Sequence, residues 1–154
     1  MYPEQLFNQK RWLFFVGIKA LIIKNGKILV LSSGASELSS TGRTKAFWDL
    51  PGGKVEWGES VAETLRREVH EELGISKNSL RIKRIFEASV SRIRISHGIP
   101  VPLLLITFLC SINGSNGFKL SDEHASFKWV DAKTAKRLLG VKFNRTFVKE
   151  LDSI

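Results

Sequence analysis

Cysteine occurs once in the 154 residues, at position 110, so no disulfide can form within the chain. Cys110 falls in the apolar run "LLLITFLCSI" and reads as a buried strand residue in a reducing compartment rather than a reactive thiol. Long hydrophobic runs are missing too. The longest, Val101 to Cys110, is interrupted by Pro102 and Thr107 and stays far below the ~18 residues that suggest a membrane span. The N-terminal "MYPEQLFNQKRWLFF" puts acidic and polar residues before its apolar part, and no small-residue cleavage site follows, which argues against a signal peptide. A cytoplasmic protein with no membrane partner is therefore the expectation. Repeats and long low-complexity linkers are also lacking, so a single domain over residues 1–154 is expected. A hydrophobic content of 43% against 25% charged residues is enough for that domain to bury a core.

Acidic residues are scarce as well: 15 against 24 basic ones, for a net charge of +9. The basic residues are scattered, which suits either a solvated basic surface or a phosphate-binding role. The acids are not scattered. Residues 52–75, "GGKVEWGESVAETLRREVHEELGI", hold six glutamates against three basic residues, while the rest of the chain carries 21 basic and 9 acidic side chains. Like charges held close repel unless a cation relieves them. The segment has the character of a cation site on a protein whose other charges favour a polyanion.

Asn25-Gly26 separates "FFVGIKALIIK" from "KILVLSS" and favours the positive φ angles of a two-residue hairpin turn. The polar, Gly/Ser-rich stretch 32–44 reads as a mobile loop, and "FWDLPGGKV" as a forced turn. Further strands are expected within 79–96, where "SRIRIS" alternates strictly, over 101–112, and over "FKWV" at 127–130. "DAKTAKRLL" carries a helical pattern with Asp131 as N-cap, and "NRTFVKEL" (144–151) reads as a last helix. The sum is a mixed protein: an antiparallel-rich sheet with at least two helices.

Ser60 and Glu63 form a capping box, and Gly74 is a natural left-handed stop. Between them Val61, Ala62, Leu65, Val69 and Leu73 share one face of a helix. Glu68, Glu71 and Glu72 lie beside that stripe at i, i+3 and i+4, close enough to share a ligand. Hard oxygen donors clustered this way suit Mg²⁺ or Mn²⁺; a solvated acidic face has the same spacing.

The segment resembles the Nudix box, the signature of the Nudix hydrolases. Gly53, Glu59, Arg67, Glu68, Val69, Glu71, Glu72, Gly74 and Ile75 fill every defined position, and the flanking strands and "SDEHASFKWV" are similar to the smaller, MutT-like members. The resemblance implies an α/β fold, an α/β/α sandwich around a mixed sheet with the box as loop, helix and turn. It implies an enzyme that cleaves the pyrophosphate bond of a nucleoside diphosphate linked to another group, with Mg²⁺ (or Mn²⁺) activating the attacking water. It assigns Glu68, Glu71, Glu72 and the Gly52 carbonyl to the metal, with Glu68 as an alternative general base, and Glu59 with Arg67 to an ion pair bracing loop against helix. The substrate it favours is a nucleoside triphosphate, cleaved to a monophosphate and pyrophosphate. The alternatives are 5′-end processing of RNA and a nucleotide-binding regulator without catalysis.

By the same resemblance Glu123 is a candidate for a further metal-binding carboxylate, with a solvated loop acid as the plain alternative. His124 is assigned to fixing the loop, because hard cations prefer oxygen; His70 and His97 have no constellation around them and receive no role. Asn144 either reads a base edge, with a side chain that both donates and accepts, or caps the last helix. Trp57, Phe47 and Trp48 are candidates to stack a base, against ordinary packing. Arg92 and Arg94, expected on one strand face, are candidates to meet phosphates, against a solvated face.

Overall fold

The computed structural model describes residues 13–93, 95–96, 100–114 and 117–154. The hairpin is present. Strands β1 (Phe15–Lys24) and β2 (Lys27–Ser33) are joined through Asn25 and Gly26, at φ of 51° and 69°. After β2 the chain forms helix α1 (Ala35–Thr41), not the mobile loop expected for 32–44. The Gly34 amide donates to the Glu123 carbonyl (2.7 Å), which fixes the helix start, and Gly42 closes its end in the left-handed conformation. Strands β3 (Trp48–Asp49) and β4 (Gly52–Lys54) then lead into helix α2 (Val61–Leu73).

The remaining elements are β5 (Leu80–Val90), a small β6–β7 pair (Ile95–Ser96 with Pro100–Val101), β8 (Leu103–Ile112), β9 (His124–Val130), α3 (Ala132–Leu139) and α4 (Arg145–Glu150). The "FKWV" strand therefore begins three residues earlier than expected, at His124. "SRIRIS" is not one strand. Arg92 and Ile93 form a bend, because the Arg92 amide leaves the sheet to donate to the Lys142 carbonyl (2.7 Å). Arg92 thus does not lie on a strand; Arg94 and His97 lie outside the described residues.

The main sheet runs β3-β2-β1-β8-β5, with β9 and β4 pairing from β2 and β1. Its pairings are antiparallel except β1 with β8, which run parallel from Phe15↔Leu103 to Ile22↔Cys110, so the sheet is mixed. Alternation along the strands sends side chains to two cores. Ile18, Ala20, Ile22, Leu29 and Leu31 meet Leu65, Val69 and Leu73 of α2. Leu21, Ile28, Val30, Leu103 and Leu105 meet Ala135 and Leu139 of α3 and Phe147 of α4. Helices thus cover both faces, an α/β/α arrangement, and each buried aliphatic side chain contributes ~1.5–3 kcal/mol. The apolar stripe of α2 starts later than its spacing suggests. Val61 is exposed and Ala62 half-buried, while Thr64 is buried with its hydroxyl donating to Glu59 Oε2 (2.8 Å).

One irregularity of the sheet positions the site. β1 pairs with β2 at Ile23 and Lys24 but with β4 at Gly17 to Lys19. The neighbour of β1 changes along its length, and the turn at Asp49–Gly52 is inserted at the change. The Ala20 amide donates to Pro51 O (2.8 Å) and ties that turn to β1. Among the described residues, no helix is long and apolar enough to cross a membrane.

Candidate active site

Two glycines open β4 to the acidic helix. Gly52 sits at φ 131°, and a Cβ there would lie 2.0 Å from Ile18 O. A Cβ on Gly53 would lie 2.3 Å from Glu68 Oε1. Only glycine at 52 lets the strand backbone approach β1, and the bare Gly53 leaves room for the Glu68 carboxylate. The capping box and the left-handed Gly74 then fix the ends of α2 as the sequence predicts.

Glu68, Glu71 and Glu72 line a cleft of about 720 Å³, together with Gly52, Glu123 and His124. Glu72 is buried, and both its oxygens are held: Oε2 accepts from the Gly52 amide and Oε1 from His124 Nε2, each at 2.7 Å. Burial would lower the His124 imidazole, but its bond to Glu72 and the charges of Glu72 and Glu37 outweigh this and raise it. It acts as the loop-fixing donor expected of it. Burial raises the Glu68 carboxyl, and the Glu72 charge raises it further, against the pull of Arg67. Glu71 is more than half exposed. Glu72, Glu123 and His124 each offer a ligand atom within 4.8 Å of the others. The donors are mostly carboxylate oxygens, crowded enough to repel, which suits a hard divalent ion.

Arg67 organises the outer side of this cluster. Its Nε and Nη2 grip Glu59 (2.6 and 3.0 Å), Nη1 reaches Glu68 (2.8 Å) and Glu71 (3.3 Å), and Nη2 also donates to Lys54 O (3.3 Å). The Arg67 bonds, with help from the Thr64 hydroxyl, hold the Glu59 carboxyl down to about 2. The loop and helix that the pair was expected to brace are joined by it.

A second charged group lies inside the sheet, and sequence reasoning missed it. Asp49, fully buried, accepts from Lys19 Nζ (2.8 Å) and from Lys142 Nζ. Lys19 spends its other donors on Leu50 O (3.2 Å) and Gly52 O (2.9 Å), the carbonyl assigned to the metal by resemblance. Burial would raise the Asp49 carboxyl, but the two lysines bring it down to about 2. Burial would likewise lower the Lys19 ammonium, yet Asp49, then Glu72 and Glu37, hold it above its ordinary value. Glu37 of α1 stands 3.8 Å from both Lys142 Nζ and His124 Nδ1, its carboxyl raised by burial and by Asp49. Lys19, Glu37 and Lys142 all line the cleft. The one sequence signal for this group was a lysine inside the apolar run "GIKALII", which marks a buried charge without naming its partner.

Other candidates stand elsewhere. Asn144 Oδ1 accepts from the Thr146 and Phe147 amides (3.0 and 3.2 Å), so it caps α4, and it is not among the residues lining the cleft. Trp57 projects fully into solvent, Phe47 is buried, and Trp48 is half-buried beneath Lys128. The Arg92 side chain donates to Gly140 O (2.8 Å). His70 Nδ1 meets Ile75 O (2.9 Å), and burial pushes the Cys110 thiol up to about 12.

The NUDIX domain model matches residues 14–151. Among solved structures the chain is similar to the MutT protein of Methanosarcina mazei, at 29% identity over 93% of this chain and 96% of that one, with a TM-score of 0.69. It shares its fold with an Ap4A hydrolase binary complex from C. elegans (20% identity, 90% and 96% coverage, TM-score 0.68). It also shares it with the dihydroneopterin triphosphate pyrophosphohydrolase of E. coli (19% identity, 92% and 97% coverage, TM-score 0.63). Nearly the whole length is matched and every box position is filled, so the chain belongs to the NUDIX domain family, the hydrolases that cleave pyrophosphate bonds in nucleotide-derived substrates.

Proposed function

We propose that this chain, as a single domain, is a cytoplasmic Nudix hydrolase that converts a nucleoside triphosphate to a monophosphate and pyrophosphate with Mg²⁺ or Mn²⁺. The observation that carries this is the crowding of Glu68, Glu71, Glu72 and Glu123 along one cleft beside the Gly52 carbonyl. Those residues would hold the divalent ions. The fit is supported by the bare Gly53 backbone under Glu68 and by the Glu68 carboxyl raised through burial and Glu72, since a nearby cation relieves both. Such ions neutralise the diphosphate oxygens and make the attacking water more acidic.

The protein's own groups do the rest. Gly52 and His124 fix the Glu72 carboxylate in one orientation. Arg67 keeps Glu68 and Glu71 at set positions while Glu59 holds Arg67 to the loop. Glu68, whose carboxyl burial and the Glu72 charge raise, is the candidate to accept the proton of the attacking water. Lys19, held by Asp49, adds a positive charge to the cleft wall on the side of a polyanion.

The fold does not choose the nucleotide, since structures sharing it carry names with different substrates. The deciding experiment is a pyrophosphate- and phosphate-release screen with Mg²⁺. It covers canonical and oxidised triphosphates, nucleotide sugars, dinucleoside polyphosphates and 5′-capped RNA. Turnover of a triphosphate with pyrophosphate release supports the proposal; turnover of another class only, or none, contradicts it.

A further inference from the structure

The two buried lysines at Asp49 are not equivalent. Lys19 uses all three ammonium donors, on Asp49, Leu50 O and Gly52 O. Lys142 uses one, on Asp49. Among the described residues its other neighbours are the Glu37 carboxylate at 3.8 Å and the Phe47 ring at 5.6 Å, neither within hydrogen-bond reach of Nζ. Lys142 is only 5% exposed, and a buried ammonium with two donors unspent is costly unless a ligand takes them. The backbone leaves it little freedom, because Lys142 O accepts from the Arg92 amide (2.7 Å) and the Ser91 hydroxyl (3.1 Å).

The surroundings say what kind of ligand fits. The cleft that Lys142 lines has an apolar side made by Phe15 and Gly17 of β1 and by Leu103 and Leu105 of β8, paired in register. A Cβ on Gly17 would lie 3.0 Å from Leu105 Cδ2, so glycine keeps this surface low and flat. A planar ring suits it. At the polar end the site offers a donor, Lys142, next to an acceptor, Glu37.

Resting on the nucleotide reading above, we propose that Lys142 and Glu37 select a base that presents a keto oxygen beside an imino N–H. Guanine, hypoxanthine and uracil carry that pair. Adenine and cytosine carry the reverse, an amino group beside a bare ring nitrogen, which sets donor against donor at Lys142. A buried site built for one pattern penalises the other because its polar groups are left unpaired. Lys142 is then a specificity-determining residue, and Asn144 a helix cap.

Calorimetric binding of 5′-monophosphates to the whole chain with Mg²⁺ tests this without turnover. GMP, IMP and UMP should each bind at least about tenfold tighter than AMP and CMP. Lys142→Met should bring the three keto nucleotides down to the amino ones and leave the affinity for inorganic pyrophosphate in place. Equal or tighter binding of AMP and CMP by the unaltered protein overturns the proposal, and this arm needs no variant to fold. So does a Lys142→Met protein, folded by thermal melt, that weakens pyrophosphate as much as GMP, for then the lysine meets phosphate. Absence of binding by all five nucleotides also overturns it; the pyrophosphate-release screen tells separately whether the hydrolase proposal stands.

Discussion

Two charged hubs flank the cleft, and they are opposites. On the outer side one cation, Arg67, is shared among Glu59, Glu68 and Glu71, which leaves carboxylate in excess. On the inner side one carboxylate, Asp49, accepts from two ammonium groups, Lys19 and Lys142, and Glu37 stands 3.8 Å from Lys142. The outer hub comes from residues close in sequence and partly in water. The inner one joins positions 19, 49 and 142, all buried. Each hub matches one part of the proposed chemistry: the outer carboxylates suit cations, and the inner ammonium groups suit an oxygen-bearing substrate. The difference also predicts how each fails. Breaking the outer hub should cost activity, whereas breaking the inner one should cost the fold.

The largest expected effect is on the acidic side. Glu71→Gln should reduce turnover by roughly a hundredfold or more, since a lost ligand forfeits several kcal/mol of charge stabilisation in the transition state. Its side chain is more than half exposed, so the melting temperature should hardly move. Glu72→Gln should lose activity to the same degree. A melt and a pyrophosphate-release assay on both variants check this.

On the basic side, Asp49→Asn leaves two buried ammonium groups facing a neutral amide. Denaturant unfolding should show a loss of about 3–5 kcal/mol, the usual cost of stranding a buried charge. Acid sensitivity sharpens the same point. The folded Asp49 value of about 2 lies below its ordinary 3.8. Its contribution is therefore complete above the ordinary value and fades as pH falls toward 2. Stability of the unaltered protein should drop across that window, and Asp49→Asn should flatten the drop.

A smaller effect separates bracing from chemistry within the outer hub. Glu59→Gln should impair turnover less than Glu68→Gln, because Glu59 touches Arg67 and Thr64 and is not among the residues lining the cleft. Equal losses in two folded variants would place Glu59 in the chemistry. The smallest effect belongs to Asn144→Ala, which removes a helix cap. It should lower stability by ~1 kcal/mol and leave nucleotide preference unchanged, as read by a melt and by relative turnover of purine and pyrimidine triphosphates.

The outer hub was legible because helical periodicity brings Glu68, Glu71 and Glu72 together whatever the rest of the chain does, and the resemblance to the Nudix box adds Glu59 and Arg67. The hairpin at Asn25-Gly26, the capping box and the Asp131 cap were legible for the same local reason. The inner hub depends on a parallel β1–β8 pairing and on a turn inserted where β1 changes neighbour, and neither leaves a local mark. Helix α1 was hidden by composition. Its Ser and Thr residues, flanked by Gly34 and Gly42, read as loop, and what holds its start is a backbone bond from Gly34 to Glu123, distant in sequence. Asn144 lay between two roles that one side chain suits equally, and only the position of the Thr146 and Phe147 amides shows that its Oδ1 caps α4.

The central claim is that the carboxylates of α2 work by holding divalent ions. Its most direct test is stepwise Mn²⁺ addition to exhaustively chelated protein, with bound Mn²⁺ followed by electron paramagnetic resonance and pyrophosphate release followed in parallel. Hydrolysis should be absent without metal and should rise in proportion to bound Mn²⁺, and Glu71→Gln should weaken both. Full hydrolysis after chelation, or Mn²⁺ binding untouched by Glu71→Gln and Glu72→Gln, would contradict it.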